Sequence, residues 1–291
     1  MKHTVNITLI IILLFFLTQI TGLFIISNYV SVQQVEKQIT VIENGKEINK
    51  TITVQEKSWS NLPYDIERPK LETKISYIQI FISLLIATAL ALLIIKFQVV
   101  KLWKFWFFLS VLLALTIAFK PFMPQLIAFS LALILAFIKV IKKNIILHNF
   151  TELFIYGGLA AIFVPVLNIT AIFILLIIIS VYDMIAVWKT KHMIKLAKFQ
   201  TKENMFAGLS IPYGKNKRAI LGGGDMGFPL LFAGVLFKSF SWLSIIVVIT
   251  TTIALAILLY KSQKNKFYPA MPFLTLGCLA GYLILSLVHL L

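Results

Sequence analysis

Residues 169 to 188 read ITAIFILLIIISVYDMIAVW and contain a single charged side chain, that of Asp183. A helix of about 20 such residues is long enough to cross the hydrocarbon core of a membrane. Similar runs recur from residue 5 to the end of the chain. Of the 291 residues, 59% are hydrophobic and only 13% are charged, whereas about a quarter are charged in soluble domains. The sequence therefore predicts an all-α protein that spans a membrane many times.

The breaks between apolar runs predict nine spans. By residue number they lie at 5 to 30, 75 to 95, 102 to 119, 121 to 138, 147 to 167, 169 to 188, 222 to 238, 241 to 260 and 269 to 291. The first run is too long for the apolar part of a secretory signal and lacks a small-residue cleavage site, so we expect it to be retained. Together the spans predict one membrane-embedded domain over residues 1 to 291.

The basic residues indicate how these spans are oriented. Most of the 27 lysines and arginines fall in segments that lie on one side of the nine-span arrangement. Cytoplasmic loops are enriched in such residues, so we expect the N-terminus in the cytoplasm, the C-terminus outside and a long cytoplasmic loop at 189 to 221. This orientation signal, with attraction to anionic lipids, accounts for the net charge of +16. No nucleic-acid partner is expected.

The segment from 31 to 74 is the one long outward loop of this arrangement. Alternating stretches at 39 to 42 and 51 to 54 flank Asn44-Gly45, which predicts a small β-hairpin. Asn49 begins a glycosylation sequon, a short pattern that often arises by chance.

Several classes of site are excluded by residue content. The single cysteine, Cys278, allows neither an internal disulfide nor a cysteine metal cluster, and we expect it to pack inside the last span. The four histidines are scattered, and no HExxH motif, P-loop or dinucleotide fingerprint occurs. Ser210 lacks the second glycine of a rhomboid-type serine motif. We therefore expect no metal and no cofactor.

Two aspartates stand out in the spans. Of the eleven acidic residues, seven lie in the outward loop, and we assign Glu152 and Glu203 to positions near or in cytoplasmic loops. Asp183 and Asp225 remain within apolar runs, where a carboxylate costs about 3 kcal/mol and marks a functional site by default. At 1.5 Å per residue, Asp183 lies about 8 Å and Asp225 about 6 Å below the inner surface. Because consecutive spans are often neighbours, we expect the two carboxylates to meet.

A close pair of carboxylates is suited to acid–base chemistry. The two groups do not both ionise when they are held together, so they share one proton. The ionised member draws a proton from water as the water attacks a peptide carbonyl, and the protonated member donates to the developing oxyanion and the leaving nitrogen. This is the chemistry of an aspartic protease.

Each aspartate also has a structural explanation of its own. Asp225 follows three glycines at 222 to 224 and is suited to capping a helix N-terminus. Asp183 lies near Tyr182 and Trp188, which are typical of the aromatic belt at a membrane surface. Neither explanation predicts that the two membrane acids lie at one depth.

Three short motifs on three spans resemble those of one protein family. They are Tyr182-Asp183 in the sixth span, Gly222-Gly223-Gly224-Asp225 at the start of the seventh and Pro269-Ala270-Met271-Pro272 at the start of the ninth. In order, span and orientation they resemble the YD, GxGD and PAL motifs of the presenilin and signal peptide peptidase family of intramembrane aspartyl proteases. The similarity is greatest to the archaeal presenilin-like branch, whose members are small.

The resemblance implies roles for individual residues. It makes Asp183 and Asp225 the catalytic pair, and residues 218 to 221 an edge that pairs with an unwound substrate. The residues that it implies in substrate binding or active-site support are Tyr182, Gly222, Gly223, Gly224, Pro269, Ala270 and Met271. Met271 departs from the family's leucine but has a similar volume. The resemblance also implies an archaeal cell membrane as the location and transmembrane helices of other proteins as partners, with lipid around the chain.

The same motifs have a physical interpretation without the family. The three glycines allow close approach of another backbone and unusual dihedral angles. Pro269 and Pro272 remove two amide donors, although a Pro-x-x-Pro pattern is also typical of a simple helix start. Gly277 and Gly281 are spaced as in helix packing.

The main hypothesis is an intramembrane aspartyl endopeptidase that hydrolyses peptide bonds within transmembrane segments near the cytoplasmic side. One alternative is a proton- or cation-coupled transporter or channel in which the acid pair binds ions. Another is a prepilin-peptidase-like protease, which shares the GxGD motif but does not require a proline motif on a ninth span.

Overall fold

Long apolar helices make up most of the protein. The computed structural model describes residues 4–43, 46–70, 75–97, 99–142, 144–190, 196, 199–200, 206–213, 217–263 and 268–290. Within these ranges there are nine helices of at least 16 residues. They are α1 (Val5–Tyr29), α2 (Ser76–Phe97), α3 (Val100–Phe119), α4 (Gln125–Ile141), α5 (Ile145–Phe163), α6 (Ile169–Met184), α7 (Gly223–Phe240), α8 (Ile245–Lys261) and α9 (Met271–Leu290). A helix pairs its own backbone groups, which is what lipid requires of a spanning segment.

The helices confirm a membrane protein with several apolar helices. Seven of the described helical stretches are long and apolar enough to cross a membrane. One of them, Gly223–Lys261, is 39 residues long and comprises α7 and α8, and α4 is a shorter apolar helix. The predicted span boundaries differ from the helix ends by a few residues. The number of nine spans and their orientation stay predictions.

Polar residues define several of the helix ends. The side chain of Asn144 accepts hydrogen bonds from Ile146 and Leu147, and that of Asn168 accepts one from Ala171. Both are N-caps, which satisfy amides that the first turn of a helix leaves unpaired. These two caps fix where α5 and α6 begin.

The predicted hairpin in the first loop is confirmed, but it is longer than expected. Strand β1 (Val30–Glu43) continues directly from α1 and pairs antiparallel with β2 (Lys46–Trp59), from Val30 opposite Trp59 to Glu43 opposite Lys46. Asn44 and Gly45, which were predicted to form the turn, lie outside the described residues, as does Glu203. At its base the hairpin is tied to α1, because the amide of Ser60 donates to the carbonyl of Tyr29 over 3.0 Å.

Helix α7 lies at the centre of the main core. Leu230, Phe232 and Ala233 on this helix are fully buried, and they belong to a cluster with side chains of α1, α5, α6, α8 and α9. Helices α3 and α4 form a second cluster with part of α5. Helix α2 lies at the periphery and contacts α6 and α3. Helix α7 is therefore packed against other helices on several sides.

Close helix packing depends on small residues. A Cβ atom on Gly277 would lie 2.9 Å from the Thr251 Cα, and one on Gly281 would lie 2.7 Å from the Val247 Cα. Both contacts join α9 to α8, so the predicted packing role of this glycine pair is confirmed. Cys278, between them, is a buried free thiol, as its predicted packing role requires.

Candidate active site

Asp183 lies on the last turn of α6 and is half-buried. Its Oδ2 accepts a hydrogen bond from the backbone amide of Met271 over 3.1 Å, and the amide of Ala270 also donates to this carboxylate. These amides belong to the start of α9, where backbone N–H groups have no partner within the helix. The carboxylate therefore lies against the positive end of the α9 dipole.

The proline motif shapes this end of α9. The carbonyl of Ala270 accepts the first helical hydrogen bonds, from Phe273 and Leu274, each over 3.1 Å. Pro272 falls in the first turn, where its missing N–H costs no helical bond. Pro269 is buried. The motif thus begins α9, and it also directs the backbone amides of Ala270 and Met271 at Asp183.

Asp225 lies in the first turn of α7 and is half-buried. The N-cap of this helix is Gly222, so the interpretation of Asp225 as the N-cap residue is wrong. The Asp225 carboxylate instead accepts a hydrogen bond from the Gly222 amide, which is the backward contact of a capping box. A capping contact and a chemical role are compatible, because the contact uses only part of what a carboxylate can accept.

The structure brings the two predicted acids together. Helix α6 contacts α7, and Asp183 and Asp225 are close enough for a direct charge–charge interaction. Asp183 is bonded to α9 and Asp225 to its own helix start, so each carboxylate is held from a different side. Two neighbouring carboxylates are a combination suited to acid–base chemistry.

The three glycines before Asp225 differ in what surrounds them. A Cβ atom on Gly223 would lie 2.8 Å from the Tyr156 hydroxyl, and one on Gly222 would lie 3.2 Å from Oδ2 of Asp225. At Gly224 the nearest atom would be a carbon of the Phe228 ring, 3.6 Å away, which is an ordinary contact. None of the three has a positive φ, so no unusual dihedral angle requires glycine here. Close approach accounts for Gly222 and Gly223 but not for Gly224.

Tyr182 and Met271 are the remaining members of the predicted set. The Tyr182 ring packs edge-to-face on Phe81 of α2, with ring centroids 6.0 Å apart. The Met271 side chain is 2% exposed and belongs to the main core. Tyr182 therefore joins the aspartate-bearing helix to α2, and Met271 joins the start of α9 to the core.

A second hairpin leads into α7. Strand β3 (Gly208–Tyr213) pairs antiparallel with β4 (Lys217–Gly222), and β4 passes directly into the helix that carries Asp225. This pairing was not predicted, because residues 189 to 221 carry many bases and read as a loop. Pro212 and Tyr213 are the last residues of β3. Only residues 218 to 221 were expected to form an extended edge.

Glu152 was assigned to a position near or in a cytoplasmic loop, but it lies within a helix and not in a loop. It lies on α5 and is 1% exposed. One carboxylate oxygen lies 2.7 Å from Nζ of Lys139, a buried residue of α4 that was predicted to face the cytoplasm. The other accepts hydrogen bonds from the Tyr156 hydroxyl and from the amide of Gly208, the latter over 3.0 Å. A buried ion pair is tolerated when its remaining hydrogen-bonding capacity is satisfied in this way.

A spacing signal for this cluster is present in the sequence. His148, Glu152 and Tyr156 are four residues apart, which places their side chains on one face of a helix. The span predicted at 147 to 167 already contained Glu152, so this acid lay within an apolar run. Because Glu152 was interpreted as a loop charge next to the basic Lys142 and Lys143, the three polar residues on one face of the helix were not recognised as a cluster.

The family model described as signal-peptide peptidase, presenilin aspartyl protease matches residues 67–290. Two solved structures of a presenilin family intramembrane aspartate protease, in different space groups, are similar to the chain with 19% identity each. The first has a TM-score of 0.63 and covers 97% of this chain and 99% of its own, and the second has a TM-score of 0.62 and covers 96% of both. No curated protein is significantly similar in sequence. Since the family model spans most of the chain, the protein belongs to the signal-peptide peptidase and presenilin family of aspartyl proteases.

Proposed function

We propose that Asp183 and Asp225 are the catalytic pair of this intramembrane aspartyl protease. The observation that carries the proposal is their mutual placement, with Asp183 at the end of α6 and Asp225 at the start of α7, within range of each other's charge. Both are half-buried, so neither is sealed off from a substrate. Paired acids at one site match the chemistry of the family to which the chain belongs.

In the proposed reaction the pair holds one proton and one water molecule. The ionised carboxylate removes a proton from the water, whose oxygen attacks the peptide carbon, while the protonated carboxylate donates to the carbonyl oxygen. Proton transfer to the amide nitrogen then breaks the C–N bond and releases a carboxyl and an amine terminus. The titration belongs to the pair as a unit.

We propose that the substrate is a transmembrane segment of another protein, unwound next to β4. Ser210 of β3 directs its N–H and C=O to the Asn149 side chain on α5, over 2.9 Å each. Residues opposed in an antiparallel pair either bond to each other or both point outward. Ile220 is opposite Ser210, so its backbone groups point away from β3. They supply an edge to which an extended peptide can add.

We also propose nine spans, with the N-terminus in the cytoplasm. Residues Gly223–Lys261 would be about 58 Å long as one helix, roughly twice the hydrocarbon thickness. The described chain divides there, at Ser241, which has a φ of 51° and follows the end of α7. Counting α7, α8 and the short α4 as separate spans leads to nine. The domain is then continuous over residues 1 to 291, and the resemblance of its motifs to the archaeal presenilin-like branch favours an archaeal cell membrane.

The two alternatives are less well supported. An ion-coupled carrier would use the acid pair as a binding site, but the family match assigns the chain to peptide hydrolases. A prepilin-peptidase-like enzyme does not require a proline motif on a ninth span, whereas in this chain the amides of Ala270 and Met271 donate to Asp183.

The proposed function is tested with purified protein in liposomes and a fluorogenic transmembrane reporter peptide. We expect cleavage that a hydroxyl-containing transition-state mimic of aspartyl proteases abolishes, and no proton flux coupled to the pair. Asp183→Asn and Asp225→Asn should each bind the reporter but fail to cut it. Cleavage that persists in both variants, or that the mimic leaves unchanged, would overturn the assignment.

A further inference from the structure

Side chains of α5 bind strand β3 along its outer edge. The Asn149 amide pairs with both backbone groups of Ser210, and Nε2 of His148 lies 2.8 Å from the carbonyl oxygen of Gly208. The amide of Gly208 donates to Glu152. His148, Asn149 and Glu152 of α5 therefore take the place of a neighbouring strand. They bind the backbone of Gly208 and Ser210, the two successive residues of β3 that point outward.

The same face of α5 reaches the start of α7. The Tyr156 hydroxyl, held by Glu152, lies 2.8 Å from the place that a Cβ atom on Gly223 would occupy. The amide of Gly223 is bonded in turn to the carbonyl of Ala207, over 3.0 Å. Tyr156 is also near enough to Asp225 to interact with it electrostatically. The contact between Tyr156 and Gly223, two residues before Asp225, thus depends on the position in which Glu152 holds the Tyr156 hydroxyl.

Lys139 explains why the central group is a carboxylate. Its Nζ donates to Glu152 over 2.7 Å and to the Thr151 hydroxyl over 2.8 Å, and it lies 3.2 Å from the carbonyl oxygen of His148. The ammonium therefore joins α4 to the first two turns of α5. The Glu152 carboxylate accepts hydrogen bonds from an ammonium, a hydroxyl and an amide that come from three different elements, and an ionised acceptor binds each more strongly than a neutral one.

From these contacts we infer that Glu152, held by Lys139, is a positioning residue for Asp225. It fixes β3 and, through Tyr156, the first turn of α7, so that Asp225 stays aligned with Asp183 and the outer edge of β4 at Ile220 stays in place for the substrate. Glu152 itself touches neither the reacting atoms nor the proposed water. The inference rests on the proposed function and adds to it a third membrane acid, with a role distinct from that of the pair.

The test replaces the ion pair in two ways that avoid leaving a buried charge alone. Lys139→Met with Glu152→Leu removes the charges and the acceptor but keeps the buried volume. Lys139→Met with Glu152→Gln removes the charges but keeps an oxygen that can accept from Gly208 and Tyr156. Turnover is measured per active site, with sites counted by titration with saturating transition-state mimic. Displacement of a catalytic group by about 1 Å costs roughly 100-fold in rate, which sets the scale of the effect.

We expect kcat of the Leu variant to fall about 10- to 100-fold with KM little changed, and the Gln variant to recover most of it. Lys238→Met is the matched control, because Lys238 is a partly buried lysine that donates to carbonyls at the opposite end of α5. It should lower the melting temperature without changing kcat per site. A Leu variant with the wild-type kcat, or one that loses only stability as the control does, overturns the inference. If Asp183→Asn still cleaves, the proposed function fails instead.

Discussion

The backbone amide of Met271 donates a hydrogen bond to Oδ2 of Asp183 over 3.1 Å, although 88 residues separate them along the chain. This bond joins the end of α6 to the start of α9. It makes the proline motif a direct neighbour of one of the two acids. The donor is a main-chain N–H and not a side-chain group. The side chain at position 271 points into the core and is therefore free to be any apolar group of similar size.

The importance of the hydrogen bond from the Met271 amide to Asp183 is tested by removing the amide. Met271→Pro deletes the N–H at the first position of α9, where proline is well tolerated. We expect a loss of activity of about tenfold or more, because Asp183 loses a donor that orients it. Met271→Leu, which keeps the amide and the volume, should stay within about threefold of the wild type. Equal activities of the two variants in the reporter assay would mean that the bond is not needed.

Steric contacts predict a difference between adjacent glycines. In Gly223→Ala the new methyl group would lie 2.8 Å from the Tyr156 hydroxyl, so the start of α7 must shift. In Gly224→Ala the new methyl group meets the Phe228 ring at an ordinary distance. We expect the first variant to lose about tenfold or more of its activity and the second clearly less. Similar losses in both would show that the Tyr156 contact does not govern the site.

Packing of α9 on α8 predicts an effect on stability. Gly281→Leu would place a side chain where the Val247 Cα lies 2.7 Å from the new Cβ, and we expect it to cost about 1–3 kcal/mol of stability or more. Ala280→Leu adds the same side chain at the neighbouring exposed position and should be nearly neutral. Thermal unfolding in detergent measures both. If the two variants melt at the same temperature, this helix contact is not as close as described.

The proposed orientation is tested by labelling with a membrane-impermeant maleimide. In a Cys278→Ala background, Lys70→Cys should react in intact cells, because the segment between β2 and α2 lies outside in the nine-span arrangement. Lys142→Cys and Lys261→Cys should react only after permeabilisation. All three lysines are exposed, so accessibility to the reagent depends on the side of the membrane. Labelling with the opposite pattern would reverse the topology.

Much of the helical architecture could be predicted because lipid imposes a simple rule on the sequence. A spanning helix must be apolar over its length, so runs such as 169 to 188 and 241 to 260 mark helices directly. The break predicted between residues 167 and 169 coincides with Asn168, which caps α6 in the structure. The first hairpin was visible through Asn44-Gly45, although the full length of β1 and β2 was not.

The parts that escaped prediction depend on pairing between distant segments. Glu152 and Lys139 cancel each other's charge only when α4 and α5 are packed together, so their pairing could not be predicted although Glu152 lay within the predicted span at 147 to 167. Strand β3 owes its position to Asn149 and His148 on α5, which are about 60 residues earlier in the chain. No local pattern encodes such a contact. The aspartates were easier to find, because a lone acid in an apolar run is costly wherever its partner lies.

The most direct test of the central claim compares the single and double aspartate variants. If Asp183 and Asp225 act as one unit, each single asparagine variant should lose activity by about 1,000-fold or more, and the double variant should lose no more than either single one. The measurement is cleavage rate of the transmembrane reporter per titrated protein, with melting temperatures that confirm intact folding. A wild-type rate in either single variant, or losses that simply multiply in the double variant, would contradict a shared catalytic pair.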